Sequence, residues 1–438
     1  MIVEGEAIMG RFIYNLLLPL GFVFFLPELI LKYRNRGGWK NTFGERFARY
    51  GARQQELAGY KGAIWVHAVS VGETVVALSM IRRYLQRYPE RKFIVSTTTT
   101  TGQEVARANA PDNTTVIFCP IDFSWMVKKA LNLMQPSALV VFETEIWPNL
   151  ISLASARKIP VMLVNARMSD HSAKGYRRLG KLFFDPLLRK FTRILVQTEV
   201  DAERFLSVSP RAQVSVVGNM KFDQKLPELP ESNILHNYFD RQPDNLIILG
   251  ASTHPGEELL FTECFLTLRD EFPGLKLVLV PRHAERGGDI ATMLQEKKVS
   301  FVRRSQVTSP DEYVDVLLAD TTGEMLRLMS GADVVIMGKS FAGHDEGHNL
   351  LEPALLRKAI VTGTVLRNFR YIFNELNEHD ALIPAADNEL SGALRKLLSS
   401  AEFRKELGER AFEVVDANRG AADKTIDALE SAWKDTGK

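Results

Sequence analysis

Two carboxylates two positions apart, Glu143 and Glu145, close an apolar run and precede Ile146-Trp147-Pro148-Asn149. At a strand end such a pair could ligate a metal, share acid–base work or cap the next helix. With no His or Asp cluster beside it, contact with a polar substrate is the expected use. Hydroxyl-bearing and glycine residues recur in similar positions, in Ser70-Val71-Gly72-Glu73 and in Thr98-Thr99-Thr100-Thr101-Gly102. Each stretch could cap a helix or aim free backbone N–H groups at an oxyanion. Further along, Pro281-Arg282-His283 puts a guanidinium after another apolar run, placed to fork onto phosphate or to form a surface ion pair. Gly338-Lys339-Ser340 opens a glycine-lined turn that suits a phosphate, with Asn349 on the same loop-to-helix segment. Glu352 then offers a carboxylate able to accept the two hydroxyls of a ribose.

His344 and His348 are four apart, with Asp345 and Glu346 between them. A zinc pair at that spacing needs an unbroken helix, and Gly343 and Gly347 interrupt one, so no metal site is expected. No Asp-x-Asp follows a strand, which favours a cation-free mechanism. Neither a P-loop nor a dinucleotide fingerprint is present, and no cofactor is expected. The two cysteines, Cys119 and Cys264, have no CxxC partner, which excludes a disulfide scaffold or zinc ribbon and fits a reducing compartment.

Elements that could position these residues alternate along the chain. Short β-rich runs (64–69, 93–97, 116–118, 138–142, 161–164, 194–197) are separated by helical patterns, which reads as βα units around a parallel sheet. A polar stretch with Pro227 and Pro230 interrupts the pattern. Alternation resumes at 246–249, 277–280, 314–318, 334–337 and 360–361, and a long helical pattern from about 401 to 434 closes the chain. The expected architecture is α/β: two Rossmann-like, doubly wound domains, 32–223 and 224–438, facing across a cleft at the carboxyl ends of their strands. The second includes the terminal helix.

Residues 1–31 form a separate expected element, an N-terminal membrane anchor. The apolar stretch from Phe12 to Leu31 is long enough to span a bilayer, yet Asn15, Pro19, Pro27 and Glu28 interrupt it. A half-inserted interfacial helix and a buried amphipathic helix are the alternatives. Seven basic residues against the single acid Glu45 follow between Lys32 and Arg53. Eight against two fall between Arg167 and Arg193. These runs are either solvated faces or surfaces that attract an anionic membrane and an anionic substrate lying on it. With 55 basic and 53 acidic side chains overall, there is no general footprint for nucleic acid.

The chain resembles the 3-deoxy-D-manno-octulosonic acid (Kdo) transferases of lipopolysaccharide assembly. The residues that carry the resemblance are Tyr14 to Pro19, Gly44-Glu45-Arg46-Phe47, His67 to Glu73, Ser96 to Thr99, Phe142 to Asn149, Asn165 to Ser169, Gly218 to Asp223, Pro281-Arg282-His283 and Gly347 to Ala354. The resemblance implies a GT-B glycosyltransferase with two Rossmann-like domains. It implies transfer of Kdo from CMP-Kdo to a lipid A precursor, lipid IVA, with inversion, on the cytoplasmic face of the inner membrane. It places the general base at Glu45. It matches Arg282 to an arginine at the cytidine nucleotide and Glu352 to a carboxylate at the ribose; Gly338, Ser340 and Asn349 are further expected donor contacts, and Lys339 adds a cation at the donor phosphate or carboxylate or points to solvent. Acceptor contacts fall at Ser70, Gly72, Glu73, Thr98, Glu143, Glu145 and Arg167. The family commonly has Gly-Gly-Ser where Gly338-Lys339-Ser340 stands here, and the loop 341–346 is unusually acidic and His-bearing. A sugar-nucleotide epimerase of the same fold, or a non-catalytic lipid A binding protein, is the alternative reading.

Overall fold

The computed structural model describes residues 9–22, 24, 44–230, 232–240, 245–307 and 313–434. Every strand pairing in it is parallel. Parallel neighbours need long crossovers, so helices cover the sheet faces and the strands read as continuous apolar runs. The first sheet comprises β1 (Ile64–His67), β2 (Phe93–Thr97), β3 (Thr114–Phe118), β4 (Ala138–Phe142), β5 (Val161–Ala166), β6 (Arg193–Val196) and β7 (Val214–Val216), in the order β3-β2-β1-β4-β5-β6-β7. Successive residues in these strands serve opposite faces. Trp65, Ile94, Leu139 and Val141 pack with the helices Ser124–Met134 and Pro148–Ala156, whereas Val66, Val95 and Val140 pack with Val71–Arg87.

The second sheet comprises β8 (Ile247–Thr253), β9 (Lys276–Pro281), β10 (Phe301–Arg303), β11 (Val316–Leu318), β12 (Val334–Met337), β13 (Ala359–Thr362) and β14 (Ile383–Pro384), ordered β10-β11-β9-β8-β12-β13-β14. In each sheet the winding direction reverses once, between β1 and β4 and between β8 and β12. At such switch points adjacent crossovers leave in opposite directions, and open α/β sheets bind ligands beyond the strand carboxyl ends there.

The chain divides into two units, one running to Asp223 and regaining the residues from Arg419, the other Gln224–Asn418. The terminal helix thus belongs to the first unit, a correction to its expected place in the second domain. The long helical pattern is two helices, Ala401–Ala417 and Ala421–Lys434, separated at Gly420, whose φ of 101° few other residues adopt. Ala422, Ile426 and Leu429 of the last helix join the apolar layer of Val76, Met80 and Ile81. Arg83 donates to Asp423 at 2.6 Å, and the Tyr84 hydroxyl donates to Glu430. Buried Asp223 caps the helix start, accepting from the Gly420 and Ala422 amides at 2.6 Å each.

A helical segment over 9–22 lies on the first unit with its polar side inward. Arg11 donates to Asn149 at 2.9 Å, the Tyr14 hydroxyl donates to Asp122 at 3.0 Å, and Asn15 exchanges hydrogen bonds with Asn149. Its outer stripe is apolar: Met9, Phe12, Ile13, Leu16, Leu17 and Leu20 recur at helical spacing, with Phe12 65%, Leu16 61% and Leu20 66% exposed. No helix among the described residues is long and apolar enough to cross a membrane. Residues 23 and 25–31 of the expected span, and 32–43 of the first basic run, lie outside the described residues.

Asp223→Ala strands two helix-end amides and should destabilise the first unit by about 1–2 kcal/mol. Thermal unfolding should show a melting point lowered by a few degrees, and hydrogen exchange should quicken in Ala421–Lys434. Unchanged values in both would remove Asp223 as the anchor.

Candidate functional site

The expected residues gather at the carboxyl edge of each sheet. In the first unit, β4 is followed by Glu143, which takes φ of 52°, a left-handed conformation that usually costs about 1–3 kcal/mol for a residue with a side chain. Its buried carboxylate accepts from Arg167 Nε at 2.9 Å and lies 3.7 Å from Lys221 Nζ. Arg167 itself is 58% exposed, so its outer face is open to a ligand. Glu145 accepts from the Trp147 indole at 2.9 Å, and burial raises its pKa. The strain at Glu143 therefore presents a carboxylate already partnered by two cations.

Ser70 and Glu73 are largely occupied with each other and with the backbone. The Ser70 hydroxyl donates to Glu73 at 2.8 Å and receives the Glu73 amide at 3.3 Å, while the other Glu73 oxygen accepts from the Val69 amide at 2.8 Å. This is a helix cap, and it leaves the exposed Gly72 at the start of Val71–Arg87. Thr98 sits half-buried after β2; its neighbour Thr99 caps the next helix, Thr100–Asn109, through the Gly102 amide.

Glu45 lies beside the end of β3. One oxygen accepts from Arg53 at 2.6 Å and the other from the Phe118 amide at 2.8 Å. The basic run thus supplies its partner, through Arg53. The carboxylate is only 7% exposed, and its orientation is set by these two donors.

In the second unit, loops after β8, β9 and β12 bring four histidines together. His254 Nε2 and His348 Nε2 are 3.2 Å apart, one donating to the other, and the His254 ring lies 5.4 Å from that of His344 and 6.1 Å from that of His283. Burial, then Lys339 and the other histidines, pushes His254 down to about 4. Burial, then His254 and Arg282, does the same to His348. Both rings are neutral at pH 7. Arg282 is exposed at the end of β9, and among the described residues no carboxylate pairs with it. Lys339 takes φ of 60° at the turn after β12, and its ammonium is 3.9 Å from Glu346. Glycine would hold that conformation without cost, so this chain keeps a cation there against about 1 kcal/mol or more of strain. Glu352, half-buried with its pKa raised by burial, accepts from Asn349 at 3.3 Å.

The Gly338-Lys339-Ser340 turn departs from expectation. Its amides are not free for a phosphate: those of Lys339, Ser340 and Phe341 donate to the Glu257 carboxylate at 2.8, 2.9 and 3.0 Å, and His254 adds a fourth at 2.8 Å. The Ser340 hydroxyl donates to Met337 and accepts from the Gly363 amide. The close approach also explains Gly338, where a Cβ would stand 2.6 Å from the Ser252 carbonyl. The helix after the loop, Leu351–Leu355, has five residues, too few for a strong terminal dipole.

Sequence reasoning gives no site role to Lys221 and His67, which stand in the resemblance stretches, and misses His254 and Glu257 altogether. Ending the expected β8 run at Leu249, four residues short of Thr253, hid His254 as a strand-end residue. His67, fully buried, reaches Ser96 through Nδ1 and packs edge-on to Trp147 at 5.2 Å; burial lowers its pKa to about 4. Among the described residues, no three His, Cys, Asp or Glu side chains group as a metal site.

Two parallel α/β units, each with one reversal of winding, have the GT-B fold, and solved structures share it. A putative UDP-N-acetylglucosamine 2-epimerase from Listeria monocytogenes superposes with a TM-score of 0.56 at 14% identity, covering 86% of this chain and 97% of its own. A glycosyltransferase from Rickettsia africae gives 0.55 at 12%, covering 86% and 99%. Residues 41–224 match the family described as 3-deoxy-D-manno-octulosonic-acid transferase (kdotransferase). The 3-deoxy-D-manno-octulosonic acid transferase of Haemophilus influenzae is 32% identical over 87% of this chain and 92% of its own length. That of Bordetella pertussis is 32% identical over 96% and 99%. The chain belongs to the 3-deoxy-D-manno-octulosonic acid transferase family and is an enzyme of the glycosyltransferase class.

The depressed histidines make stability depend on acid. A ring at about 4 in the folded state and near 6.5 when unfolded binds its proton mainly in the unfolded chain, so its contribution is complete above about pH 6.5 and lost as pH falls toward 4. Melting temperatures should fall across that window, and less steeply in the double variant His254→Gln/His348→Gln. Equal slopes would show that these two rings do not carry the effect.

Proposed function

We propose that this enzyme transfers Kdo from CMP-Kdo to the lipid A precursor lipid IVA in lipopolysaccharide assembly, with inversion, at the cytoplasmic face of the inner membrane. Family membership across most of the chain carries the reading. The placement of the resemblance residues at the carboxyl edges of both sheets supports it. It replaces the epimerase and the non-catalytic binding protein, for which no residue here speaks.

In this reading the first unit takes the acceptor and the second the donor. An acceptor hydroxyl oxygen attacks the anomeric carbon of Kdo, the bond from that carbon to the CMP phosphate oxygen breaks, and the hydroxyl proton passes to Glu45. A single displacement inverts the centre. Arg53 and the Phe118 amide fix the direction of the carboxylate, while each oxygen retains a lone pair for the incoming proton. Arg282 and Lys339 meet the negative charge of the donor phosphate and of the Kdo carboxylate, a task otherwise given to a metal ion. Glu352, oriented by Asn349, accepts the ribose hydroxyls. Gly338 and Ser340 shape the turn that carries Lys339.

Acceptor contacts are assigned to Ser70, Gly72, Glu73, Thr98, Glu143, Glu145 and Arg167, with exposed Arg167 suited to an acceptor phosphate. The apolar stripe of the 9–22 helix lies along the membrane interface, and its inward polar bonds hold the first unit there. An enzyme so held meets a lipid acceptor where that acceptor is concentrated.

General base catalysis is typically worth about 10²–10⁴-fold, so Glu45→Gln should lose that much in kcat while CMP affinity is kept. Activity within about threefold of the parent enzyme would remove the assignment. Arg282→Ala should weaken CMP binding in calorimetry, because a guanidinium–phosphate bond is charge-assisted; unchanged affinity in the folded variant would refute that contact.

A further inference from the structure

A cavity of about 540 Å³ opens in the first unit, away from the edge described above. It is lined by Arg177, Gly180, Asp185, Arg189, Arg211 and the end of the helix Glu199–Val208. Arg189 precedes β6 and Arg211 precedes β7, so the cavity sits by the amino ends of these strands. All three arginines are exposed, and among the described residues none pairs with a carboxylate. The one acid in the lining, Asp185, already accepts the Ser209 hydroxyl at 2.6 Å. Three guanidinia around one concavity repel each other, and a bound anion relieves that repulsion.

The wall of the cavity leads directly to the exposed apolar surface. Gly180 begins a π-helical turn, Gly180–Phe184, a rare distortion often found at functional sites. Leu179 and Leu182 beside it are 55% and 40% exposed. The same turn receives the 9–22 helix: the Phe183 ring lies 6.2 Å from Tyr14, and Gly10 is so close that a Cβ there would stand 2.5 Å from the Leu182 carbonyl. Apolar stripe, exposed leucines and cationic cavity are therefore linked through this one turn.

We propose that this cavity binds the phosphate headgroup of an anionic membrane lipid, a site separate from the transfer site. Arginine forks suit phosphate oxygens, and the neighbouring leucines suit the acyl boundary below the headgroup. The inference rests on the membrane-surface part of the reading above and not on the transfer chemistry.

The test is sedimentation of the full chain with vesicles of phosphatidylcholine alone or doped with phosphatidic acid. A triple variant, Arg177→Gln/Arg189→Gln/Arg211→Gln, is compared with a control of equal charge loss, Lys61→Gln/Lys405→Gln/Lys424→Gln. At about fivefold per cation at the surface, the triple variant should lose roughly 10²-fold in binding to the doped vesicles. Control binding should stay near the parent value. Binding of all three proteins to neutral vesicles should be alike, since the apolar stripe is untouched; loss of that binding in every protein would instead count against the membrane-surface reading itself. Equal losses in variant and control would overturn the site in favour of diffuse surface charge. Inorganic phosphate that raises the melting temperature of the parent but not of the variant, with vesicle binding unchanged, would make it a free-phosphate site and overturn the lipid assignment. Circular dichroism of the variants confirms that they are folded.

Discussion

Parallel pairing is the constraint from which the site follows. Because each of the two sheets runs in one direction, every strand delivers its next residue to the same edge, and the single reversal of winding in each sheet opens a gap between neighbouring crossovers. Residues 70–73 and 143–145 flank one such gap; His254 and Lys339 flank the other. Side chains more than 80 positions apart in the chain thus become neighbours through β8 and β12.

Once loops are crowded at those edges, their amides need acceptors, and this protein uses buried carboxylates repeatedly. Glu257 takes four backbone amides, Asp122 takes those of Asn149 and Leu150, Asp201 takes that of Met168 and Glu45 takes that of Phe118. A buried carboxylate is costly unless such donors surround it, so each one ties a loop conformation to the stability of the unit. Strain at Lys339 is held by this scaffold, since Glu257 accepts its amide. At the same edges lie exposed cations: Arg282 in the second unit, with Lys339 beside Glu346, and Arg167 in the first, bonded to Glu143 on one side and open on the other. Carboxylates that hold the loops and cations that reach solvent are in this way divided between inner and outer layers.

Much of this was legible in the sequence because parallel strands buried on both faces are unbroken apolar runs. Phe93–Thr97, Ala138–Phe142 and Val334–Met337 begin and end where the apolar pattern does. The edge strands Val214–Val216, Phe301–Arg303 and Ile383–Pro384 escaped because two or three half-exposed residues carry no periodicity. Glu352 and Arg282 could be singled out from their positions after apolar runs. Glu257 could not be tied to the 338–341 turn, since only the fold brings together groups 82 to 84 residues apart. For the same reason the sequence suggests a phosphate for the amides of that turn, whereas a carboxylate of the chain already holds them. Chain order alone puts the terminal helix with the second unit, whereas its aspartates match Arg83 and Arg87 of the first.

Mass spectrometry of lipid IVA incubated with the full chain and a source of CMP-Kdo tests the central claim most directly. The account predicts a product heavier by one or more Kdo residues, formed with release of CMP and lost when Glu45 is replaced by Gln. Lipid IVA recovered unchanged by a folded protein that binds CMP would contradict it.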